Sequence, residues 1–220
     1  MQRIKNLDTL AGSLVSRVRD AIHDGTLPDG ERVNEVHLAA ELGVSRTPLR
    51  EALNRLVSEQ ILTLRPRHGY YVPRMTLAGF EAEYGIRPIL DVAALELAGL
   101  PDRAALDEID RLNHAILAEQ TIAGRIDADD AFHLTLVGHC PNPVLLDLIR
   151  HMMLRTRRYE FAYFRECRPF LGIADEHARI IVALRRGDLA GACDALRHNL
   201  TSGLGPTRAW LGARAPSSQT

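Results

Sequence analysis

Apolar residues recur at the spacing of an α-helix along most of this chain, and one short stretch departs from that pattern. Before residue 75, the helical spacing is clear at Leu14, Val18 and Ile22 and again from Leu49 to Leu56. The segments "ILTLRP" and "GYYVP", which flank Arg67–Gly69, instead predict two strands joined by a turn. After residue 75 the whole pattern is helical. We therefore predict a mostly α fold in two domains.

Three short helices followed by a hairpin form the layout of a winged helix-turn-helix domain. Asn34 is expected to cap the second helix, "EVHLAAEL", which Gly43 ends, and Ser45 is expected to cap the third. The predicted division is a winged helix-turn-helix domain at residues 1–73, a linker at 74–76, an all-α helical bundle at 77–212 and a flexible tail at 213–220. Within the bundle the pattern predicts six helices, at residues 77–99, 102–119, 125–139, 143–165, 170–187 and 189–211.

The third predicted helix carries a polar face that is suited to nucleic acid. The side opposite its apolar residues holds Arg46, Thr47, Arg50 and Asn54. Such groups form hydrogen bonds with phosphate oxygens and base edges. Residues 42–74 contain six arginines and two acidic residues, although the net charge of the whole chain is only −1. A solvated amphipathic helix with ordinary surface arginines is the alternative, but the neighbouring short helix and the hairpin favour DNA binding.

The composition is that of a cytoplasmic protein without a membrane partner. No apolar run approaches 18 residues, and the N-terminus lacks an apolar segment of signal-peptide length. Cys140, Cys167 and Cys193 are widely spaced and odd in number, which is typical of reduced thiols.

Acidic residues and histidines in the predicted bundle indicate a metal site. Asp129 and His133 are four residues apart and so lie on one face of a helix, a spacing that suits two ligands of one metal ion. Asp130, three residues before His133, is an alternative ligand. His177 shares a face with apolar residues and so points into the domain. A hydrogen-bonded core histidine is the alternative role for each of these imidazoles.

Two of these stretches are similar to a known family. The runs "SRTPLREAL" and "RHGYYV" resemble the DNA-binding domain of GntR-family bacterial transcription regulators over the first 75 residues. The resemblance implies that the protein binds double-stranded operator DNA. Some relatives read a base with an arginine of the second helix, but its position here is near Val36, so we do not expect that contact. By resemblance, contacts to phosphates and the major groove would come from Ser45, Arg46, Thr47 and Arg50, and contacts to the minor groove from Arg67, His68 and Gly69.

The second domain resembles the FCD effector domain, the all-helical sensor of the FadR-like subfamily. The segment "YGIRPILD" (Tyr84–Asp91) is similar to the start of that domain, and a count of six helices resembles its VanR-like branch. The resemblance implies a metal ion held by one aspartate and three histidines. This chain matches the aspartate and two of the histidines, at Asp129, His133 and His177.

The third histidine of that pattern is replaced here. Asn199 stands at its position, and His198 precedes it by one residue. At about 100° per residue, Asn199 falls on the edge of the buried face of the last helix, while His198 falls nearly opposite. We therefore expect a divalent metal ion, zinc by its donor set, with Asn199 beside it as a weak ligand. A site that has lost its metal and keeps a polar pocket is the alternative.

The resemblance also implies a small carboxylate effector and a homodimer. Tyr84 and Arg87 are candidate effector-binding residues. Arg87 could pair with a carboxylate through two hydrogen bonds, or form a salt bridge with Asp91 four residues on. One winged helix reads only half of a two-fold operator, which favours a dimer.

The expected function is a ligand-responsive repressor that its effector releases from operator DNA. A metal-dependent hydrolase is the alternative function. No glutamate is placed beside a histidine pair as a general base, as in an HExxH motif, so we expect no enzymatic activity and no catalytic residues.

Overall fold

The computed structural model describes residues 2–167 and 172–214, with side chains from residue 12 onward. The chain divides after Met75 into two compact units. In the described residues both units are mainly helical, and a two-stranded sheet belongs to the first. The predicted mostly α fold, a winged helix-turn-helix unit before a helical bundle, is confirmed. No described helix is both long and apolar enough to cross a membrane.

The first unit packs its first helix against its third. Its elements are α1 (Gln2–His23), α2 (Glu35–Leu42), α3 (Arg46–Ser58), β1 (Thr63–Arg65) and β2 (Gly69–Tyr71). The buried apolar residues between the two helices are Leu14, Val15, Val18 and Ile22 of α1 and Leu49, Ala52, Leu53 and Leu56 of α3. Burying a Leu or Ile side chain fully stabilises the fold by about 1.5–3 kcal/mol. The packing therefore holds the opposite, polar face of α3 in solvent.

The ends of α2 agree with the sequence prediction, and the start of α3 differs from the prediction in one detail. The side chain of Asn34 accepts a hydrogen bond from the His37 amide at 3.2 Å, and Gly43 ends α2 with φ of 69°. Ser45 occupies the N-cap position of α3, but its hydroxyl makes no capping hydrogen bond. The expected N-cap position is therefore correct, but the expected capping hydrogen bond is absent. An N-cap hydroxyl bonds the second or third amide of the helix, and the third residue is Pro48, which has no N–H.

The wing is a tight antiparallel hairpin. Leu64 pairs with Tyr70, and the connecting turn closes with a hydrogen bond of 3.0 Å from the His68 amide to the Arg65 carbonyl. Arg67 adopts φ of 64°, a left-handed conformation that is uncommon for a residue with a side chain. The segment before α2 also joins the wing, because Arg32 forms a bridge with Tyr71.

The second unit contains eight helical segments in its described part, where six helices were expected. Two of the expected helices are each interrupted once, at residues 85–86 and at residue 203. The segments are α4 (Leu77–Tyr84), α5 (Arg87–Ala98), α6 (Arg103–Ala118), α7 (Ile122–Leu136), α8 (Pro143–Cys167), α9 (Ile173–Arg185), α10 (Leu189–Ser202) and α11 (Leu204–Arg214).

Proline accounts for both interruptions. A helix that continued through Pro88 or Pro206 would need an amide hydrogen bond from that residue to the carbonyl four positions earlier, and proline has no amide hydrogen. The carbonyls concerned belong to Tyr84 and Ser202, the last residues of α4 and α10. Each proline lies in the first turn of the next helix, where the missing hydrogen is tolerated.

The core of the second unit lies between α5, α6, α7, α8, α9 and α10. The hydroxyl of Thr76 caps α4 by accepting a hydrogen bond from the Gly79 amide at 3.0 Å. The predicted tail at 213–220 overlaps α11, which continues to Arg214. The remainder of that tail, residues 215–220, lies outside the described residues.

Two glycines of the first unit should respond to alanine with opposite signs. Gly43→Ala places a side chain at φ of 69° and should lower the free energy of unfolding by about 1 kcal/mol. Gly12→Ala lies inside α1, where a Cβ would meet no described atom within 4 Å, and should raise it by about 0.5–1 kcal/mol. Thermal unfolding of both variants measures the difference. Equal effects would contradict the assigned end of α2.

Candidate DNA-binding surface and metal centre

The polar face of α3 presents the predicted DNA contacts to solvent. Ser45, Arg46, Thr47 and Arg50 are all exposed. The hydroxyl of Ser45 is not used for capping, so it remains available to an external acceptor or donor. These residues share one surface because the apolar side of the helix is buried against α1.

The wing carries the second predicted group of contacts. Arg67 and His68 are exposed at the turn, and Gly69 is half-buried with φ of 93°. A Cβ at Gly69 would lie 3.4 Å from the Arg32 guanidinium. Arg32 therefore lies close to the tip of the hairpin, in addition to Arg67.

An acidic residue of α2 that the sequence did not single out binds one of the predicted contacts. Nε and Nη2 of Arg50 donate to the two carboxylate oxygens of Glu35 at 2.5 and 3.3 Å. The pKa of Glu35 is lowered, first by this hydrogen bond and then, against the opposing effect of burial, by the charges of Arg50, Arg46 and Arg32. The two residues are 15 positions apart on different helices, so no local spacing signals the pair.

The structure brings together three of the four predicted metal-site residues. Asp129 and His133 lie on α7, and His177 lies on α9. Nε2 of His133 is 3.8 Å from Oδ2 of Asp129, and Nε2 of His177 is 3.4 Å from Oδ1 of the same carboxylate. One donor atom from each residue lies within 4.8 Å of the others. That grouping is compact enough for a single metal ion.

The two imidazoles fit a metal better than they fit a closed apolar core. The side chains of His133 and His177 are 3% and 0% exposed. Both ring nitrogens of His177 and Nδ1 of His133 are buried without a hydrogen-bond partner in the described part of the chain. The ring of His177 stacks on Phe132 at a centroid distance of 3.8 Å. Three of the four ring nitrogens therefore lack, among the described residues, the partner that a hydrogen-bonded core histidine needs.

Protonation also favours a cation at this point. Burial lowers the pKa of His177 to about 3 and that of His133 well below its usual value, so both rings are neutral and able to coordinate a metal. The pKa of Asp129 is raised well above its usual range by burial and then by the charges of Asp130 and Glu160. A bound cation would relieve this crowding of carboxylates.

Asp130, the alternative ligand, is engaged elsewhere. Its Oδ2 accepts a hydrogen bond from Arg157 at 2.7 Å. Burial, followed by the charge of Glu160, raises its pKa to about 7. Asp130 does not belong to the cluster of donor atoms around Asp129.

Residue 199 lies inward, as helical geometry predicted, and residue 198 does not. Asn199 is half-buried and lines the same pocket as Asp129, whereas His198 is exposed. Nδ2 of Asn199 donates to Glu176 at 2.9 Å, and the hydroxyl of Ser202 donates to the same carboxylate oxygen at 3.0 Å. This carboxylate, next to His177 in the sequence, was not foreseen as a partner of Asn199.

A cavity of about 320 Å³ opens beside the Asp–His–His cluster. Tyr84 and Arg87, the predicted effector contacts, both line it. The buried guanidinium of Arg87 donates to Asp91 at 2.9 Å, so the predicted salt bridge is present. Its Nε has no hydrogen-bond partner among the described residues. The hydroxyl of Tyr84 donates to Glu160 at 2.9 Å.

Two family models match the chain. Residues 10–72 match the family described as bacterial regulatory proteins, gntR family, and residues 84–202 match the FCD domain. The Nta operon transcriptional regulator of Aminobacter aminovorans is 42% identical over 134 residues, which are 58% of this chain and 62% of that protein. The transcriptional repressor GlaR of Escherichia coli is 26% identical over 82% of this chain and 87% of its own length.

A solved structure shares the fold. The protein described as E. coli McbR/YncC superposes with a TM-score of 0.79 at 23% sequence identity, covering 91% of this chain and 98% of that chain.

Restoring the third histidine should strengthen metal binding. We expect Asn199→His to lower the zinc dissociation constant by more than about tenfold, because imidazole is a better zinc ligand than an amide oxygen. Competition with a chromophoric chelator measures the change. His198→Asn is the matched control and should leave the constant unchanged, since His198 is exposed. An unchanged constant in Asn199→His would show that residue 199 does not reach the metal.

Proposed function

Because this chain belongs to the GntR family of bacterial regulatory proteins and carries an FCD domain, we propose that it represses transcription from operator DNA and is released by a small carboxylate. The carboxylate binds in the pocket of the second unit beside a divalent metal ion. The observation that carries this proposal is the joint presence of a solvent-facing, arginine-rich α3 and a buried Asp–His–His cluster that borders a cavity.

The first unit supplies the contacts to double-stranded operator DNA. Arg46 and Arg50 provide positively charged donors, and the hydroxyls of Ser45 and Thr47 provide neutral ones. Because the hydroxyl of Ser45 makes no capping hydrogen bond, it can donate a hydrogen bond to a phosphate oxygen. A helix N-terminus also favours an anion through its free amides.

The wing extends the same interface. Arg67, His68 and Gly69 stand at the tip of the hairpin, and they approach the adjacent minor groove. The left-handed backbone at Arg67 is a local cost that the fold carries at an exposed turn. A cationic side chain held at that tip suits the negative potential of a minor groove.

The second unit holds the metal and the effector. Asp129, His133 and His177 bind the ion, zinc by its donor set, with Asn199 beside them. A metal with three protein ligands has coordination positions open to a carboxylate oxygen. The unpaired buried nitrogens of His177 support this assignment.

Arg87 and Tyr84 bind the effector at the same cavity. The cavity volume of about 320 Å³ suits a small molecule. Arg87 is already paired with Asp91. An effector carboxylate would therefore bind the guanidinium together with Asp91 and would not replace it. A small acid is favoured over a large one by this volume.

The regulator acts as a homodimer in the cytoplasm. Two copies are needed to read both halves of a two-fold operator. The second unit exposes large apolar side chains on two neighbouring helices, which supports contact with another copy. They are Ile89 and Leu97 of α5 and Val144 and Leu148 of α8.

The hydrolase alternative has no support. The family consists of transcription regulators, and the relatives named above carry regulator names.

Removing one guanidinium from α3 should separate the two activities. We expect Arg50→Ala to weaken binding to a duplex from upstream of the protein's own gene by at least about tenfold, while zinc affinity stays unchanged. Fluorescence anisotropy at two salt concentrations measures the DNA affinity. Arg55→Ala is the control, because it removes another exposed arginine of the same helix, one that pairs with Glu59. Equal loss of DNA and zinc binding would contradict the assignment of the two functions to separate units.

The metal should be required for the effector. We expect small carboxylates to raise the melting temperature of the zinc-loaded protein by several degrees, since a ligand of the native state stabilises it. The same acids should not stabilise His133→Ala or the chelator-treated protein. Elemental analysis of untagged protein supplies the metal stoichiometry. An equal rise in melting temperature without metal would favour the alternative of a polar pocket that has lost its ion.

A further inference from the structure

Glu35 is an acidic residue at the centre of a basic surface. The charges of Arg50, Arg46 and Arg32 all act on its carboxylate. An acid at such a position weakens attraction to DNA phosphates in general, because it cancels one positive charge of the surface. Glu35 therefore does not serve non-specific affinity for DNA, and its contacts with Arg50 indicate another role.

The geometry of the pair gives that role. The two carboxylate oxygens of Glu35 accept hydrogen bonds from Nε and Nη2 of Arg50, at 2.5 and 3.3 Å. Its side chain is only 11% exposed, whereas that of Arg50 is 53% exposed. Nη1 of Arg50 has no hydrogen-bond partner among the described residues. The carboxylate thus occupies one edge of the guanidinium, and the other edge, formed by Nη1 and Nη2, faces solvent.

A second hydrogen bond fixes the next polar residue of the same face. The hydroxyl of Tyr70, on the wing, donates to Oδ1 of Asn54 at 2.7 Å. The amide carbonyl is thereby engaged by the wing, and the NH₂ group is the part of Asn54 left for an outside partner. Arg50 and Asn54, one helical turn apart, both offer donors.

We propose that Glu35 is a positioning residue, which holds Arg50 so that its free edge reads a guanine in the major groove. Guanine presents two acceptors there, O6 and N7, which match two parallel N–H donors of arginine. An arginine held in place before binding loses less conformational freedom on contact than a mobile one. Glu35 therefore sets sequence discrimination, and it lowers general affinity. This inference rests on the proposed DNA-binding function of the first unit.

The two effects of Glu35 have opposite signs, which makes the role testable. The full-length protein first selects a preferred duplex from a randomised pool. Dissociation constants are then measured for that duplex, for each of its single base-pair variants and for an unrelated duplex. Glu35→Gln should lose about tenfold or more of the discrimination at one G·C pair. Its affinity for the unrelated duplex should equal or exceed that of the wild-type protein.

Glu51→Gln is the matched control. Glu51 is an exposed acid of α3, and no ion pair is found for it among the described residues. This variant removes the same charge from the same surface and should leave discrimination at every position unchanged. Melting temperatures of both variants are compared with the wild type, so that a loss of discrimination is distinguished from a loss of folding.

Arg50→Lys provides a second, independent variant. Lysine keeps the charge but cannot make the two-point contact with either the carboxylate or the guanine. It should lose discrimination at the same base pair as Glu35→Gln, and the double variant should lose no more than either single one.

Three results have distinct meanings. If Glu35→Gln keeps full discrimination at every position, the proposal is wrong. If Arg50→Lys weakens binding to all duplexes equally, Arg50 contacts phosphate and the proposal is again wrong. If the wild-type protein selects no sequence at all, it is the DNA-binding function itself that fails.

Discussion

The second unit buries imidazole nitrogens that have no hydrogen-bond partner among the described residues. His177 is fully buried, and neither of its ring nitrogens has a hydrogen-bond partner in the described part of the chain. A buried polar group without a partner costs about 1–3 kcal/mol. A divalent ion held with Asp129 would recover that cost and would also relieve the carboxylates that raise the pKa of Asp129. Metal binding at this cluster would therefore also stabilise the bundle.

The cavity lies where the helices of this unit are interrupted. Tyr84 and Arg87 flank the break between α4 and α5, and Ser202–Pro206 span the break between α10 and α11. Both breaks occur because a proline cannot complete the helix before it. Continuous helices would present regular side-chain rows there. The pocket beside the Asp–His–His cluster is instead lined by residues at the two breaks, among them Tyr84, Ser202 and Pro206.

The local spacing of apolar and polar residues predicted most of the helices and strands. It did not predict contacts between residues that are far apart in the sequence. Asp129 and His133 followed from their spacing on one helix, and the inward position of Asn199 followed from helical angles. The pairing of Glu35 with Arg50 did not, because it joins two helices whose relative rotation no periodicity specifies. The bond from Asn199 to Glu176 was missed for the same reason. The breaks at Pro88 and Pro206 could have been read from the chain, because each proline lies inside a predicted helix.

Two residues assigned to DNA contact in the first unit depart from local conformational rules, and an acidic residue lies among the arginines of the same unit. Ser45 stands at a helix N-cap without making the cap, Arg67 takes a left-handed conformation that glycine would adopt at lower cost, and Glu35 cancels charge on a basic face. The choices at Ser45 and Arg67 do not improve the stability of the isolated fold, whereas Glu35 pairs with Arg50 and lies in the first turn of α2, where an acid is favourable. Elsewhere in the unit, Asn34 and Gly43 follow the rules for helix ends. Departures such as those at Ser45 and Arg67 are expected on a surface that is shaped for a partner, because selection for binding there outweighs local conformational preference.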